Sequence, residues 1–331
     1  MDSITQIALG AAVGESVLGR QVGNRAILWG GLCGLLPDLD LLIPLSGAVE
    51  SFTYHRSFSH SLFVFAALTP LLVLLILKIH PQTVEYRKRW YALVFLGLAT
   101  HSLLDCFTVY GTQIFWPLST PPVMWASIFI IDPVYSIPLI AGVIAALIMS
   151  RRSSRGHLLC MIGLTLSSIY LLWTVGAKLY VTDMAHKSMK QQNIEYQRLL
   201  TVPTAFNTVL WRIIAVDDNR YYEGFYHLLD KTKTIRFTHH SSDDKLLENL
   251  ENHWPVKRLK WFTRGFYSVQ KYGDDVVITD IRMGMEPNYF FRFKVAEAGN
   301  PHPKMTPSER LPSNRDLDQL RWLWHRIRTP H

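Results

Sequence analysis

Histidine and aspartate crowd three short stretches of this chain. "LPDLDLL" (36–42) carries Asp38 and Asp40, "YHRSFSHS" (54–61) carries His55, Arg56 and His60, and "HSLLD" (101–105) carries His101 and Asp105. His101 and Asp105 stand four apart, so a helix puts both on one face, where a single ion could touch both. Asp38 and Asp40 are two apart and diverge on a regular helix. Gly34 and Pro37 predict that the helix loosens there, turning the two carboxylates into different parts of one pocket. His55 is expected in a loop and His60 at a helix start, with Ser57 or Ser59 as the cap. Asp132 and Asp2 are further candidates.

Imidazole and carboxylate donors without thiolates suit Zn, Mn or Fe(II) at a catalytic site. The ligand set expected is Asp38, Asp40, His55, His60, His101, Asp105 and Asp2. That is too many for one ion, and two ions bridged by a carboxylate would use them well. The expectation is one or two divalent ions, Zn first. Paired ions serve phosphoester and amide hydrolysis by acidifying water and offsetting charge on the attacked group. Asp38 or Asp132, if spared from ligation, is the candidate to take the water's proton. Arg56 cannot ligate a cation, but its guanidinium can hold an anionic substrate oxygen by two parallel hydrogen bonds.

The elements that position these residues are apolar. Ala26–Pro44, Ser61–Ile79, Tyr91–Val109, Ala126–Met149 and His157–Tyr180 each approach the ~20 residues that cross a bilayer core. Ile4–Leu18 is shorter and Gly/Ala-rich, and reads as a short span or a helix packed inside the bundle. It lacks the basic start and small-residue cleavage site of a signal peptide. Cys33, Cys106 and Cys160 all fall in these apolar segments, so no disulfide framework is implied. The fold class is an α-helical integral membrane bundle of about five to six helices, followed by a small α+β extracytoplasmic domain with an antiparallel sheet.

Charge orients the bundle. Arg20 and Arg25, then Lys78, Arg87, Lys88 and Arg89, then Arg151, Arg152 and Arg155 occupy three connections, while the alternate connections carry only Arg56. Positive connections stay cytoplasmic. The same orientation collects Asp38, Asp40, His55, His60, His101, Asp105, Asp132 and Asp2 toward the outer face. Ionisable residues in membrane segments are costly and usually face partners in the bundle interior. Their gathering at one depth argues for a site rather than scattered packing contacts. It also argues against an ion pathway, because Glu15 alone interrupts the lower halves of the helices.

Composition changes near Tyr180, which divides the chain into 1–180 and 181–331. The first 180 residues hold 11 Lys+Arg against 8 Asp+Glu, and the remainder 23 against 18. No internal repeat, low-complexity tract or nucleic-acid motif is present, so no nucleic-acid partner is expected. "FNTVLWRIIAVD", "RYYEGFYHLL", "WFTRGFYSVQKYG" and "DVVITDIRMG" read as antiparallel strands, with "KYGDD" as a hairpin turn. Helices are expected at 181–200, 243–253 and 315–327. Asp280 and Arg282 read as a pair that stabilises the sheet or its contact with the bundle.

"MDSITQIALGAAVGE", "GLLPDLDLL", "YHRSFSHSL" and "HSLLDCFTVYGT" together resemble the YdjM/YbcI-type family of bacterial inner-membrane metal-dependent hydrolases, over about residues 1–150. The resemblance implies a helical membrane protein with a hydrolase site distantly similar to zinc-dependent phospholipase C. Asp38, Asp40, His55, His60, His101 and Asp105 match the family pattern. Many members have a His where this chain has Gln6, which shifts weight to Asp2. The expected function is hydrolysis of a lipid-linked or membrane-proximal ester at the outer face of the inner membrane, with membrane lipid as partner and lipid-like substrate. No protein partner of the tail is identified. The alternative is a non-enzymatic metal-binding or ion-translocating protein, or an assembly factor whose tail recruits a partner.

Overall fold

A computed structural model describes residues 1–149, 154–299, 303–313 and 317–330. Arg151 and Arg152 of the third basic connection lie outside the described residues. The chain forms two compact units. The first comprises Met1–Ile43, His55–Trp125 and Ile130–Thr174, and the second Pro44–Tyr54, Ala126–Phe129 and Val175–His331.

The first unit is helical. Asp2 caps α1 (Ser3–Gly14), which runs through a π-helical turn (Glu15–Gly19) into a short α2 (Arg20–Val22). α3 (Asn24–Leu35) then packs along α1. The approach is so close that a Cβ at Gly10 would lie 2.2 Å from the Gly30 carbonyl oxygen, and one at Gly34 would lie 2.3 Å from that of Gln6. Small residues at four-residue spacing are the usual means by which helices close on one another in lipid. Gly34 was expected to loosen the helix. Its role is this crossing, and the backbone changes only after it, tightening into a 3-10 segment at Leu36–Leu42. The segment read as one span, Ala26–Pro44, is therefore helix followed by 3-10 turn.

After α4 (Ala48–Tyr54), which belongs to the second unit, a 3-10 turn (Phe58–His60) leads into α5 (Leu62–Ile79), and Pro81–Tyr86 leads into α6 (Arg87–Cys106). The α5 cap is Ser61, not Ser57 or Ser59: its Oγ accepts from the amides of Phe63 at 3.2 Å and Val64 at 3.5 Å. Trp90, Leu93 and Leu98 of α6 fill the core against Phe65, Val73 and Ile76 of α5 and Leu18. α7 spans Pro133–Ile148 and α8 Ser154–Gln191. By length and composition α5 and α8 can each cross a bilayer, and α7 is shorter. α5 turns Phe63, Leu71 and Leu74 outward, as a lipid-facing helix does.

The second unit holds the sheets. β1 (Arg198–Pro203), β2 (Leu210–Asp217), β3 (Arg220–His227) and β4 (Phe237–Ser241) form an antiparallel meander. α9 (Trp254–Phe262) follows a 3-10 turn at Asp244–Leu247. β5 (Tyr267–Tyr272), β6 (Asp275–Asp280), β9 (Arg292–Glu297) and β10 (Lys304–Arg310) make a second sheet in the order β10-β9-β6-β5, beside a small hairpin of β7 (Gly284–Met285) and β8 (Asn288–Tyr289). The chain ends in α10 (Leu317–Arg328). Tyr272 pairs with Asp275 across a two-residue turn in which Gly273 has φ +59°, the left-handed conformation that makes glycine the natural residue there.

Three expectations are corrected here. The helices at 157–180 and 181–200 are one element, α8, ending at Gln191. The helix expected at 243–253 starts at Trp254 instead, where Pro255 supplies a preset φ in the first turn. "WFTRGF" is accordingly the end of α9 and the turn after it, not strand. Asp280 and Arg282 form a fully buried pair at 2.6 Å, and Arg282 also donates to the Phe262 carbonyl at 3.2 Å, which ties β6 to α9. The α4 segment docks through Phe52, whose ring lies 4.9 Å from Phe262 and 4.4 Å from Phe291, and through Thr53, whose Oγ1 accepts from Arg258 Nε at 2.9 Å.

Candidate metal centre

Three elements of the first unit bring four side chains to one point. The 3-10 segment after α3 supplies Asp38, the turn before α5 supplies His60, and one face of α6 supplies His101 and Asp105. One donor atom from each of these four residues falls within 4.8 Å of all the others. His60 Nε2 and His101 Nε2 are 3.1 Å apart. Asp38 Oδ1 is 3.5 Å from each of them. Asp105 Oδ2 is 3.3 Å from His60 Nε2 and 3.5 Å from His101 Nε2. Four ligands placed tetrahedrally about an ion at ~2.0–2.2 Å would stand about 3.3–3.6 Å apart. Five of the six edges here come within a few tenths of that value, and the Asp38–Asp105 edge lies within 4.8 Å.

The tautomers fit the same conclusion. His101 Nδ1 lies 2.7 Å from the Gly34 carbonyl, which can only accept, so Nδ1 carries the proton. His60 Nδ1 lies 2.9 Å from Ser59 Oγ, and that hydroxyl donates its own proton to Asp40 Oδ2 at 2.6 Å. Nδ1 of His60 must therefore be the donor to Ser59. With both rings neutral, the Nε2 atoms then present lone pairs to each other and to two carboxylates. Lone pairs 3.1 Å apart repel unless a proton or a metal cation lies among them. Asp105 Oδ2 is buried and accepts no hydrogen bond, although the Arg56 guanidinium forms an ion pair with it, so it keeps a lone pair for a further cation.

Around this point, Asp105 Oδ1 accepts from Gln6 Nε2 at 2.9 Å and from the Met1 α-amino group. Arg56 Nε lies 3.1 Å from Asp105 Oδ2, and its Nη1 donates to Thr108 Oγ1 at 3.0 Å. The Arg56 side chain is buried over the Tyr110 ring. Its backbone has φ +62°, and its amide donates to Asp40 Oδ2 at 3.1 Å. That carboxylate thus stabilises a left-handed residue that costs energy elsewhere. Asp40 Oδ1 is 2.9 Å from His55 Nδ1. Burial pushes the His55 imidazole below its ordinary pKa, opposed by the hydrogen bond to Asp40.

The model of the YdjM inner membrane protein family matches residues 1–179. The chain belongs to that family. It is also 23% identical over 231 residues, 68% of each chain, to the "Uncharacterized protein YfhP" of Bacillus subtilis (strain 168). No solved structure matches.

In this YdjM-family chain the four donors come from seven expected ligands. Asp40 and His55 are diverted to each other, because Asp38 and Asp40 project in different directions from a backbone with three residues per turn. Asp2 caps α1, accepting from Thr5 N at 3.0 Å and Thr5 Oγ1 at 2.6 Å. Asp132 caps α7, accepting from Val134 N at 3.0 Å and from Tyr170 OH at 2.9 Å. Neither stands among the four donors. Arg56, expected to face substrate, has its guanidinium against Asp105 and Thr108. The sequence reading missed Ser59 as a relay, Gly34 as the acceptor behind His101, and Gln6 as a support of Asp105. Of these only Gln6 carried a signal, as a position where the family resemblance leads one to expect histidine.

Proposed function

We propose that this inner-membrane family member is a metal-dependent hydrolase that cleaves an ester, of phosphoester type, on a lipid or other membrane-proximal substrate. The observation that carries the reading is the near-tetrahedral convergence of Asp38, His60, His101 and Asp105 with both Nε2 lone pairs turned inward. A single divalent ion fits these donors, Zn by their nitrogen and carboxylate chemistry, and it would supply a Lewis acid and an acidified water at neutral pH. The protein's own groups account for the rest. Asp38 is the one donor whose side chain keeps solvent exposure, at 10%, so substrate approaches on its side. Asp40 holds the Nδ1 proton of His55 and leaves Nε2 as the basic atom, in a ring 5.9 Å from that of His60. A carboxylate-oriented imidazole at the rim is suited to moving a proton, which transfers the base role from Asp38 and Asp132 to His55. Arg56 keeps a positive charge beside the cluster, which favours an anionic substrate.

One observation favours a second reading. Four protein donors fill a tetrahedral shell, and filled shells are typical of sites that hold metal without turnover. The test is metal content of detergent-purified protein by elemental mass spectrometry, paired with a screen of phospholipid and lipid-phosphate hydrolysis. About one equivalent of metal, lost in His60→Ala and His101→Ala and kept in Asp132→Asn, is expected. Metal-dependent hydrolysis abolished in a His55→Ala variant that still binds metal would support the enzyme. Bound metal with no ester turned over would favour the second reading, and no bound metal would overturn both.

A further inference from the structure

α10 is amphipathic, and the face it turns inward carries Gln319 and Arg326 beside half-buried Leu323 and Ile327. Gln319 Nε2 donates to the carbonyls of Met285 at 3.4 Å and Glu286 at 3.1 Å. Arg326, seven residues on along the same face, is buried against Asp230. Between them Trp322 meets Phe225 edge-to-face at 4.9 Å. The Ile327 carbonyl accepts from a His227 ring nitrogen at 3.0 Å. A surface helix ordinarily buries its apolar stripe and wets its polar one. Here Leu320 and Trp324, four apart on the other face, remain 48% and 53% exposed.

What flanks that face identifies its occupant. Arg321 is exposed beside it, and the Arg328 guanidinium stacks over the Trp324 ring at 4.8 Å. Asp318 is the acidic residue of the helix, and it forms an exposed ion pair with Arg321 at 3.0 Å. The turn that receives the end of α10 through His227 and Asp230 also projects Leu229, 69% exposed, and is followed by exposed Lys231 and Lys233. Tryptophan and leucine rimmed by arginine and lysine are the composition of helices that lie in a bilayer interface. Each basic group near an anionic leaflet adds to the attraction. The chain already carries two apolar helices long enough to cross a bilayer and belongs to an inner-membrane family, so the second unit is tethered to a lipid bilayer.

We infer that α10 is an interfacial anchor that inserts Leu320 and Trp324 into an anionic phospholipid surface, with Arg321, Arg328, Lys231 and Lys233 on the headgroups. The test uses the full chain, one copy per nanodisc, with a polarity-sensitive fluorophore on Leu320→Cys. The three native cysteines are buried, and Asp274→Cys on the exposed hairpin turn serves as control. In discs rich in phosphatidylglycerol, the label at 320 should shift to the blue. Lipid-borne quencher should also quench it about twofold or more over the control. Discs of phosphatidylcholine alone, or an Arg321→Glu/Arg328→Glu background, should bring it back toward the control. A label that behaves like the control in both lipids would overturn the anchor. Equal quenching in both lipids and in the charge-reversed background would overturn the anionic surface as its occupant. A response only to a second, unlabelled copy would assign the face to self-association instead.

Discussion

Each histidine of the cluster is aimed by what stands behind it. The Gly34 carbonyl and the Ser59 hydroxyl take the two Nδ1 protons, so both Nε2 atoms face the same space. Ser59 matters doubly, because it also donates to Asp40, the carboxylate that shapes the turn before His60. Ser59→Ala should leave His60 without a fixed tautomer and weaken metal binding by about 10–100-fold, measured by competition with a chromophoric chelator. Unchanged affinity would show that the hydroxyl does not orient the ring. Part of this arrangement was legible from residue types. Four-residue spacing paired His101 with Asp105, and two-residue spacing separated Asp38 from Asp40. Spacing could not decide which histidine of "HRSFSH" reaches the point. Both carry the same chemistry, and a left-handed residue between them, Arg56, sends one ring to Asp40 and the other to the cluster.

The elements place these residues through backbone contact rather than side-chain bulk. α1 and α3 meet at Gly10, Gly14, Gly30 and Gly34, and the last of these supplies the carbonyl behind His101. A side chain at Gly30 has no room, since the atom it would strike, at 2.2 Å, is the Gly10 carbonyl oxygen, which cannot rotate away. Gly30→Val should therefore cost at least the ~1–3 kcal/mol typical of overpacking and lower the melting temperature of the detergent-solubilised protein. It should also reduce metal affinity, as the two helices part. Gly176→Ala, with nothing within 4 Å of the added carbon, is the control and should be neutral or stabilising by up to ~1 kcal/mol. Equal melting of the two variants would deny the crossing its structural role. The apolar segments were legible because hydropathy survives any packing arrangement. The glycine seam was not, because a glycine that permits close approach and one that loosens a helix look alike until the neighbouring helix is in place.

At the scale of the whole chain, composition changes near Tyr180, but it does not reveal that the sheet unit resumes at Val175 or that residues 44–54 and 126–129 belong with it. Both read as connections, and their allegiance depends on partners distant in sequence, such as Phe262 and Arg258 for the 44–54 segment. Topology in the membrane follows from parity and charge. If the six apolar helical elements all cross, the chain returns after α8 to the side it held at Ser61. If α5 and α8 alone cross, it returns to that side as well. By the charge rule the side is expected from Lys78, Arg87, Lys88 and Arg89, which follow α5 in either case and favour the cytoplasm, with Arg20 and Arg25 joining them there only if all six elements cross. Alkaline phosphatase fused after the last residue should thus be active and green fluorescent protein fused there dark. The opposite pair would place the basic connections outside, against the charge rule, and would put the ligand-bearing turn before α5 on the cytoplasmic side, where a hydrolase would meet inner-leaflet substrates instead.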